Sequence, residues 1–216
     1  KSATEGILFV CGSGKIAGAT LRILEGISHV NMTVVYLIPD LDYSSQKEKW
    51  RHRAHFNILQ EYTRSGLISQ LIIISNKLIV EIVGHGTIYN YFDKVNQYIY
   101  SAMHTINYCN NVDPVFGSPH KPKQHSRIST IGYGQLEKNE EKMFFPLDNI
   151  TETGYIISIN EEELANDISI LPNVKAMAKE SKKLERETSF AIWSTDESEN
   201  YYYTRHYTHH IQQEDI

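Results

Sequence analysis

The sequence predicts an α/β chain: a Rossmann-like parallel sheet as a half-domain, a long central helix, then a smaller α+β domain with a mixed sheet. Short apolar runs alternate with helix-period segments as far as Ser75, the pattern of βαβ units on a parallel sheet. Residues 87–109 place apolar side chains at helical spacing, which corresponds to roughly 34 Å of helix. Beyond the Pro/Gly-rich stretch DPVFGSPHKPK, at 113–123, the periodicity shifts toward alternating strands. These observations divide the chain into an α/β domain at 1–86, a core helix at 87–110 and an α+β domain at 111–216.

Each element has its own warrant. Residues 7–11 are a short apolar run closed by glycine, the signature of a buried parallel strand. Ala17, Leu21 and Leu24 set a helix over 17–27. TVVYLI, 33–38, is a second buried strand, ended by Pro39. A charged helix spans 44–63, with Trp50, Ala54, Ile58 and Leu59 expected inward and Ser65-Gly66 as its stop. LIIIS, 71–75, is a third strand. In the long helix Ile88, Tyr91, Phe92, Val95, Ile99, Ala102, Met103 and Ile106 cover much of the girth, so packing is expected on both sides. Past the boundary, strands are expected at 128–131 and 155–159, and helices at 137–145 and 173–187. Residues 190–194 and 201–207 read as a hairpin around TDESEN.

Composition narrows the function classes. The 216 residues are 41% hydrophobic, enough for a substantial core. A formal charge of −5 supplies no basic field, which argues against nucleic acid as a partner. Only Cys11 and Cys109 are present, without metal-type spacing, which fits a reducing, cytoplasmic setting. No apolar run is long enough to span a membrane, and no membrane partner is expected. The chain opens at Lys1 and enters a strand almost at once. A sheet beginning there is expected to need strands from upstream residues or from a partner chain.

The stretch FVCGSGKIAGAT, 9–20, is a glycine turn between a strand and a helix. An ATPase P-loop fails at Phe9 and Ile16, where its first glycine and its metal-binding hydroxyl belong. A dinucleotide fingerprint fails at Ala17. What remains is a turn whose amides, with the helix N-terminus, point at an anion; a plain strand-to-helix turn stands beside that reading. Asn76, after the third strand, occupies the ligand edge of a parallel sheet or else caps a helix. Tyr89 and Asp93 are four apart and share a helix face. An aromatic ring can stack on guanine while a carboxylate accepts from its N1–H and 2-amino group; an i,i+4 pair is also common without any ligand. His206, His209 and His210 mix strand faces, so a polar end strand is expected rather than a metal site.

Taken in order, these residues resemble the tubulin/FtsZ superfamily. CGSGKIAGA stands where that family has its glycine-rich phosphate loop, with Gly12, Gly14 and Gly18 matching and Lys15 and Ile16 replacing small and hydroxyl residues. EKWRHRAHF offers Glu48, one place off the family spacing, and Arg53 at it, for ribose and phosphate. ISN resembles the family's IPN and makes Asn76 the guanine contact. Tyr89 and Asp93 match the stacking residue and the guanine acceptor on the core helix. NNVDPVF resembles the loop that enters the neighbouring subunit's site: Asn111 and Asp113 match, and Phe116 stands where a second, water-polarising carboxylate is expected. ISTIGYG, GYIISI and FAIWSTDESENYYYTRHY resemble later family strands.

The resemblance implies a nucleotide-binding domain at 1–86 and a ligand, GTP or GDP, with or without Mg²⁺. It places Gly12, Ser13, Gly14, Lys15, Gly18, Glu48, Arg53, Asn76, Tyr89 and Asp93 around that ligand, and Asn111 and Asp113 in catalysis. It implies head-to-tail assembly of identical chains into a filament, with weak or absent hydrolysis. Two expectations compete with this: a nucleotide-free structural protein using the same fold as an assembly module, and an unrelated Rossmann-like enzyme with another nucleotide.

Overall fold

The computed structural model describes residues 4–14, 17–42, 44–84, 90–138, 140–182 and 185–213. The element order is β1 (Glu5–Cys11), α1 (Ala17–Gly26), β2 (Asn31–Ile38), α2 (Gln46–Ser65), β3 (Gln70–Ser75), α3 (Asn76–Val83), α4 (Tyr91–Asn111), β4 (Phe116–Gly117), β5 (Ile128–Gln135), β6 (Glu140–Met143), β7 (Glu152–Asn160), α5 (Glu161–Asn166), α6 (Ile170–Lys182), β8 (Glu187–Thr195) and β9 (Tyr201–Thr208). The strands join in one mixed sheet in the order β1-β2-β3-β5-β9-β7-β8-β4, with β6 paired to β5. β1, β2, β3 and β5 run parallel, whereas β9 is antiparallel to both β5 and β7. The parallel half meets the mixed half through Leu71↔Ile128 and Ile72↔Ser129.

β2 and β3 are buried on both faces, as apolar runs without alternation require. Val34, Tyr36 and Ile73 pack with Leu24, Phe56 and Leu59 under α1 and α2. Val35, Ile72 and Ile74 turn the other way, toward Ile79 of α3 and Val95, Ile99 and Met103 of α4. A third core beneath α6 gathers Ile157, Ile192, Tyr202, Ile170 and Val174. Gly66, at φ 87°, closes α2 in the left-handed conformation that glycine adopts without strain.

Five expectations are corrected. The 190–194/201–207 hairpin does not form: β7 lies between β8 and β9, with Ile157 opposite both Ile192 and Tyr202. β7 is buried along nearly its whole length, and placing it centrally covers it on both edges. The expected helix at 137–145 is instead a turn and β6, because Gly132 on β5 leaves room for a β6 side chain: a Cβ there would collide with the Glu141 carboxylate, while Gly134 leaves room for Tyr202 of β9. A helix, α3, occupies the tail of the apolar run that begins with β3. On α2 the inward residues are His52, His55, Phe56, Leu59, Gln60 and Thr63, while Trp50 stays 65% exposed. Several of these polar side chains find partners: His52 bonds Tyr36, Thr63 donates to the Leu59 carbonyl, and Gln60 donates to the Gln212 carbonyl at 3.1 Å. Finally, α4 packs along one stripe only. Its opposite face leaves Phe92, Tyr100 and Tyr108 exposed.

Candidate functional site

The carboxyl ends of β1, β2 and β3 open toward one edge of the parallel sheet, the place where such sheets bind ligands. Cys11 leads into a tight turn in which the Gly14 N–H donates to the Cys11 carbonyl at 3.2 Å and the Ala17 N–H to the Gly14 carbonyl at 3.1 Å. The Gly12 N–H donates to the Leu37 carbonyl at 3.0 Å. Two of the glycine amides are therefore engaged within the protein. An anion here would rely on the first turn of α1, which carries no acidic residue to oppose it.

Gly12 is required by packing. A Cβ there would lie 2.6 Å from His52 Nδ1 and closer still to the Tyr36 hydroxyl. Tyr36 Oη and His52 Nδ1 are joined by a 2.7 Å hydrogen bond, and both residues are fully buried. One turn along α2, His55 also lies beneath the loop. Burial pushes His55 below the ordinary histidine range, against a hydrogen bond with the Gly12 backbone that pulls it up, so the ring is neutral near pH 7.

The remaining sequence-derived residues divide. Ser13 and Gly14 sit in the turn, and Gly18 lies exposed in the first turn of α1. Glu48 closes the capping box of α2: its carboxylate accepts from the Ser45 amide at 2.8 Å and the Ser45 hydroxyl at 2.7 Å, while Ser45 Oγ accepts from the Glu48 amide. Those bonds hold its carboxylate below the usual range. The Ser-x-x-Glu spacing is a helix-start signal that the reading of Glu48 as a ribose and phosphate contact passed over. Arg53 is exposed on α2. Asn76 is the first residue of α3, with Ser75 at the cap position, so it is not itself the cap. Its Oδ1 is buried and has no hydrogen-bond partner. Asp93 is exposed in the first turn of α4. Lys15 and Tyr89 lie outside the described residues.

Asn111 and Asp113 stand apart from this group. Asn111 is the last residue of α4 and donates from its side chain to the Asn107 carbonyl at 2.8 Å; Asp113 follows in the exposed connection. Asp93 and Asn111 are separated by roughly 27 Å of helix at 1.5 Å per residue. The two candidate halves therefore cannot meet within one chain. Phe116 falls in β4, pairs with Ile192 and stacks on Phe190 at 6.1 Å. It remains 43% exposed.

Sequence reasoning missed a cavity of about 610 Å³ at the same sheet edge, bounded by Ile38, Pro39, Ser75 and Leu78 and by Asp40, Asp42, Lys49, Lys77 and Asp148. Lys77 Nζ meets Asp42 Oδ2 at 2.8 Å. That hydrogen bond lowers the Asp42 carboxyl and raises the Lys77 ammonium. Three acids against two bases give the cavity no net positive field. Lys77 was not singled out in the sequence, where a helix at this point stood only as the alternative reading of Asn76.

No family-level sequence pattern and no characterised protein matches the chain by sequence. Solved structures do match by shape. A GTPγS-form protofilament of TubZ from Bacillus thuringiensis serovar israelensis superposes at TM-score 0.65 and 15% identity, covering 94% of this chain and 60% of that one. An FtsZ W319Y mutant of M. jannaschii gives 0.71 and 11%, covering 96% and 66%. CetZ from Methanosaeta thermophila gives 0.64 and 12%, covering 96% and 61%. The chain has the tubulin/FtsZ fold. It spans about three fifths of the length of these structures. In that fold, β1 is the edge of the part present here: it pairs with β2 and leaves Ile7 and Phe9 44% and 48% exposed.

Proposed function

We propose that this chain is part of a GTP-binding protein that assembles head-to-tail into filaments, with weak or absent GTP hydrolysis. The observation that carries this reading is the placement of the two candidate halves at opposite ends of α4, on a fold shared with TubZ protofilaments and filaments. Residues so separated can act together only when the end of one chain meets the glycine-turn edge of the next.

The residues present fit a guanine nucleotide unevenly. On the base side, the buried Asn76 Oδ1 needs a donor, and a guanine edge offers one. Asp93 would accept from the same edge. On the phosphate side, Ser13 and the first turn of α1 would hold the anion, since the Gly12 and Gly14 amides are already engaged. Asn111 and Asp113, from the next chain, would approach the phosphate end. A bound guanine nucleotide would supply the phosphoanhydride bond that any hydrolysis cleaves. Phe116 neither accepts a proton nor orients water, which supports slow turnover.

A second reading, a nucleotide-free structural protein, is favoured by the engaged glycine amides and by the commitment of Glu48 to the α2 cap. Both readings pair the outer edge of β1 with a strand from an upstream segment or a partner chain. β1 supports this because it pairs on one side only, with β2, and so leaves a free parallel edge; the exposed Ile7 and Phe9 call for a cover on that face of the strand as well. Slow hydrogen exchange along β1 in the intact gene product is expected; exchange as fast as in loops would refute the added strand. Chromatography of whatever small molecule the purified protein releases on denaturation separates the functions. GTP or GDP supports the first reading, no nucleotide the second, and an adenine nucleotide contradicts both.

A further inference from the structure

Between α4 and the β5–β9 face lies a cavity of about 470 Å³ lined by four tyrosines, Tyr98, Tyr133, Tyr201 and Tyr203, and by Glu197 and Glu199 of the β8–β9 loop. It shares no lining residue with the sheet-edge cavity. Tyr98 and Tyr133 meet at 6.0 Å between ring centroids with planes 79° apart, and Tyr201 and Tyr203 at 5.8 Å, also 79° apart. Tyr133 links the two pairs, 5.5 Å from Tyr203 and 6.3 Å from Tyr201. In each pair the edge of one ring meets the face of the other, so the four rings stand at steep angles to one another around the cavity.

The electrostatics of this wall have one sign. Aromatic faces carry negative quadrupole potential. Glu197 and Glu199 are carboxylates, and among the described residues no lysine or arginine lines the cavity. Burial raises the phenols of Tyr98, Tyr133, Tyr201 and Tyr203, which keeps them neutral. The Tyr98 hydroxyl is buried without a hydrogen-bond partner. An anion is repelled here. A metal ion wants converging oxygen or nitrogen ligands, and no group of three or more such residues occurs among the described residues. The chemistry that suits such a wall is a cation with an apolar skin, held by ring faces and balanced by carboxylates.

We propose that the four-tyrosine cavity binds a small methylated ammonium ion. The volume suits a small molecule. The site stands independently of the nucleotide reading, since neither its residues nor its ligand belong to the sheet edge.

The test uses choline and its neutral isostere 3,3-dimethylbutan-1-ol, titrated into the protein while the tyrosine ring resonances are followed by NMR. Saturable shifts with choline and none with the isostere at equal concentration are expected. Equal responses would identify a merely apolar cleft, and no response to either would remove the site; both overturn the proposal. Tyr201→Leu should weaken choline about tenfold, because a ring face is lost, whereas Tyr98→Phe, which keeps the ring, should change it less than about twofold. Glu197→Gln should weaken choline but not create affinity for the isostere. The comparison of the two probes is made on the unaltered protein, so it stands even where a variant fails to fold.

Discussion

Gly12 illustrates how one residue can satisfy two arguments. Its place after β1 suggests a phosphate loop, yet its lack of a Cβ is demanded by the Tyr36–His52 pair behind it. Gly12→Ala should therefore destabilise the fold by about 1–3 kcal/mol through overpacking, whether or not nucleotide is present. Because the clash is with the Tyr36 hydroxyl, the double variant Gly12→Ala/Tyr36→Phe should lose less than the sum of the single losses in urea unfolding. Strict additivity would contradict the packing account. Asp93 carries the opposite kind of claim. It is exposed, so Asp93→Ala should leave stability nearly unchanged and weaken GTP binding by about 1.5–3 kcal/mol, the scale of hydrogen bonds to a charged group. ATP binding should not respond. Equal losses for GTP and ATP would remove the guanine assignment. At this scale the sequence was legible where a residue's identity has a single cause. It was ambiguous at Glu48, where ribose contact and helix capping call for the same carboxylate.

At the scale of elements, two buried histidine–carboxylate clusters tie the mixed half of the sheet together. Glu152 of β7 accepts from the Lys123 amide at 3.0 Å and from the Ser126 hydroxyl, and lies 3.1 Å from His120 Nε2; His120 Nδ1 meets Ser189 Oγ of β8 at 2.9 Å. Glu141 of β6 lies 2.8 Å from His206 Nε2 of β9, whose Nδ1 meets Thr153 of β7 at 2.9 Å. Burial pushes both carboxyls up, but their hydrogen bonds and histidine neighbours outweigh it, so both lie below the usual value of 4.5. A folded-state pKa below the unfolded one gives stability that is complete above pH 4.5 and lost as pH falls through the folded value. Glu152→Gln should cost about 1–3 kcal/mol at pH 7 and flatten the loss of stability on acidification below pH 4.5. Urea midpoints at pH 7 and below pH 4 check this; an unchanged acid slope would contradict it. Buried strands were readable as apolar runs, and α2 from its charged helical pattern and its Gly66 stop. Strand order was not. Chain adjacency favours a β8–β9 hairpin, and only the burial of β7 on both edges decides otherwise. α3 was hard to read because its 8 residues span barely two turns, too few to show a helical period, even though Ser75, Asn76 and Lys77 interrupt the apolar run.

At the scale of the molecule, the central feature is polarity. The glycine turn and Asn76 lie at the carboxyl edge of the parallel strands, while Asn111 ends α4 and Asp113 and Phe116 follow it. The fold was legible because motif order survives when individual motifs are worn. The separation of the two halves follows from the length of α4 alone, which the sequence also gave within a few residues. Phe116→Asp, in the intact gene product, should raise phosphate release from GTP without abolishing assembly, since Phe116 supplies exposed apolar area rather than a proton acceptor. Brisk hydrolysis by the unaltered protein would overturn that role. The most direct test of the whole account is sedimentation of the purified protein with GTP, with GDP and without nucleotide. Pelleting that depends on GTP is predicted; pellets of equal size under all three conditions would contradict nucleotide-driven, head-to-tail assembly.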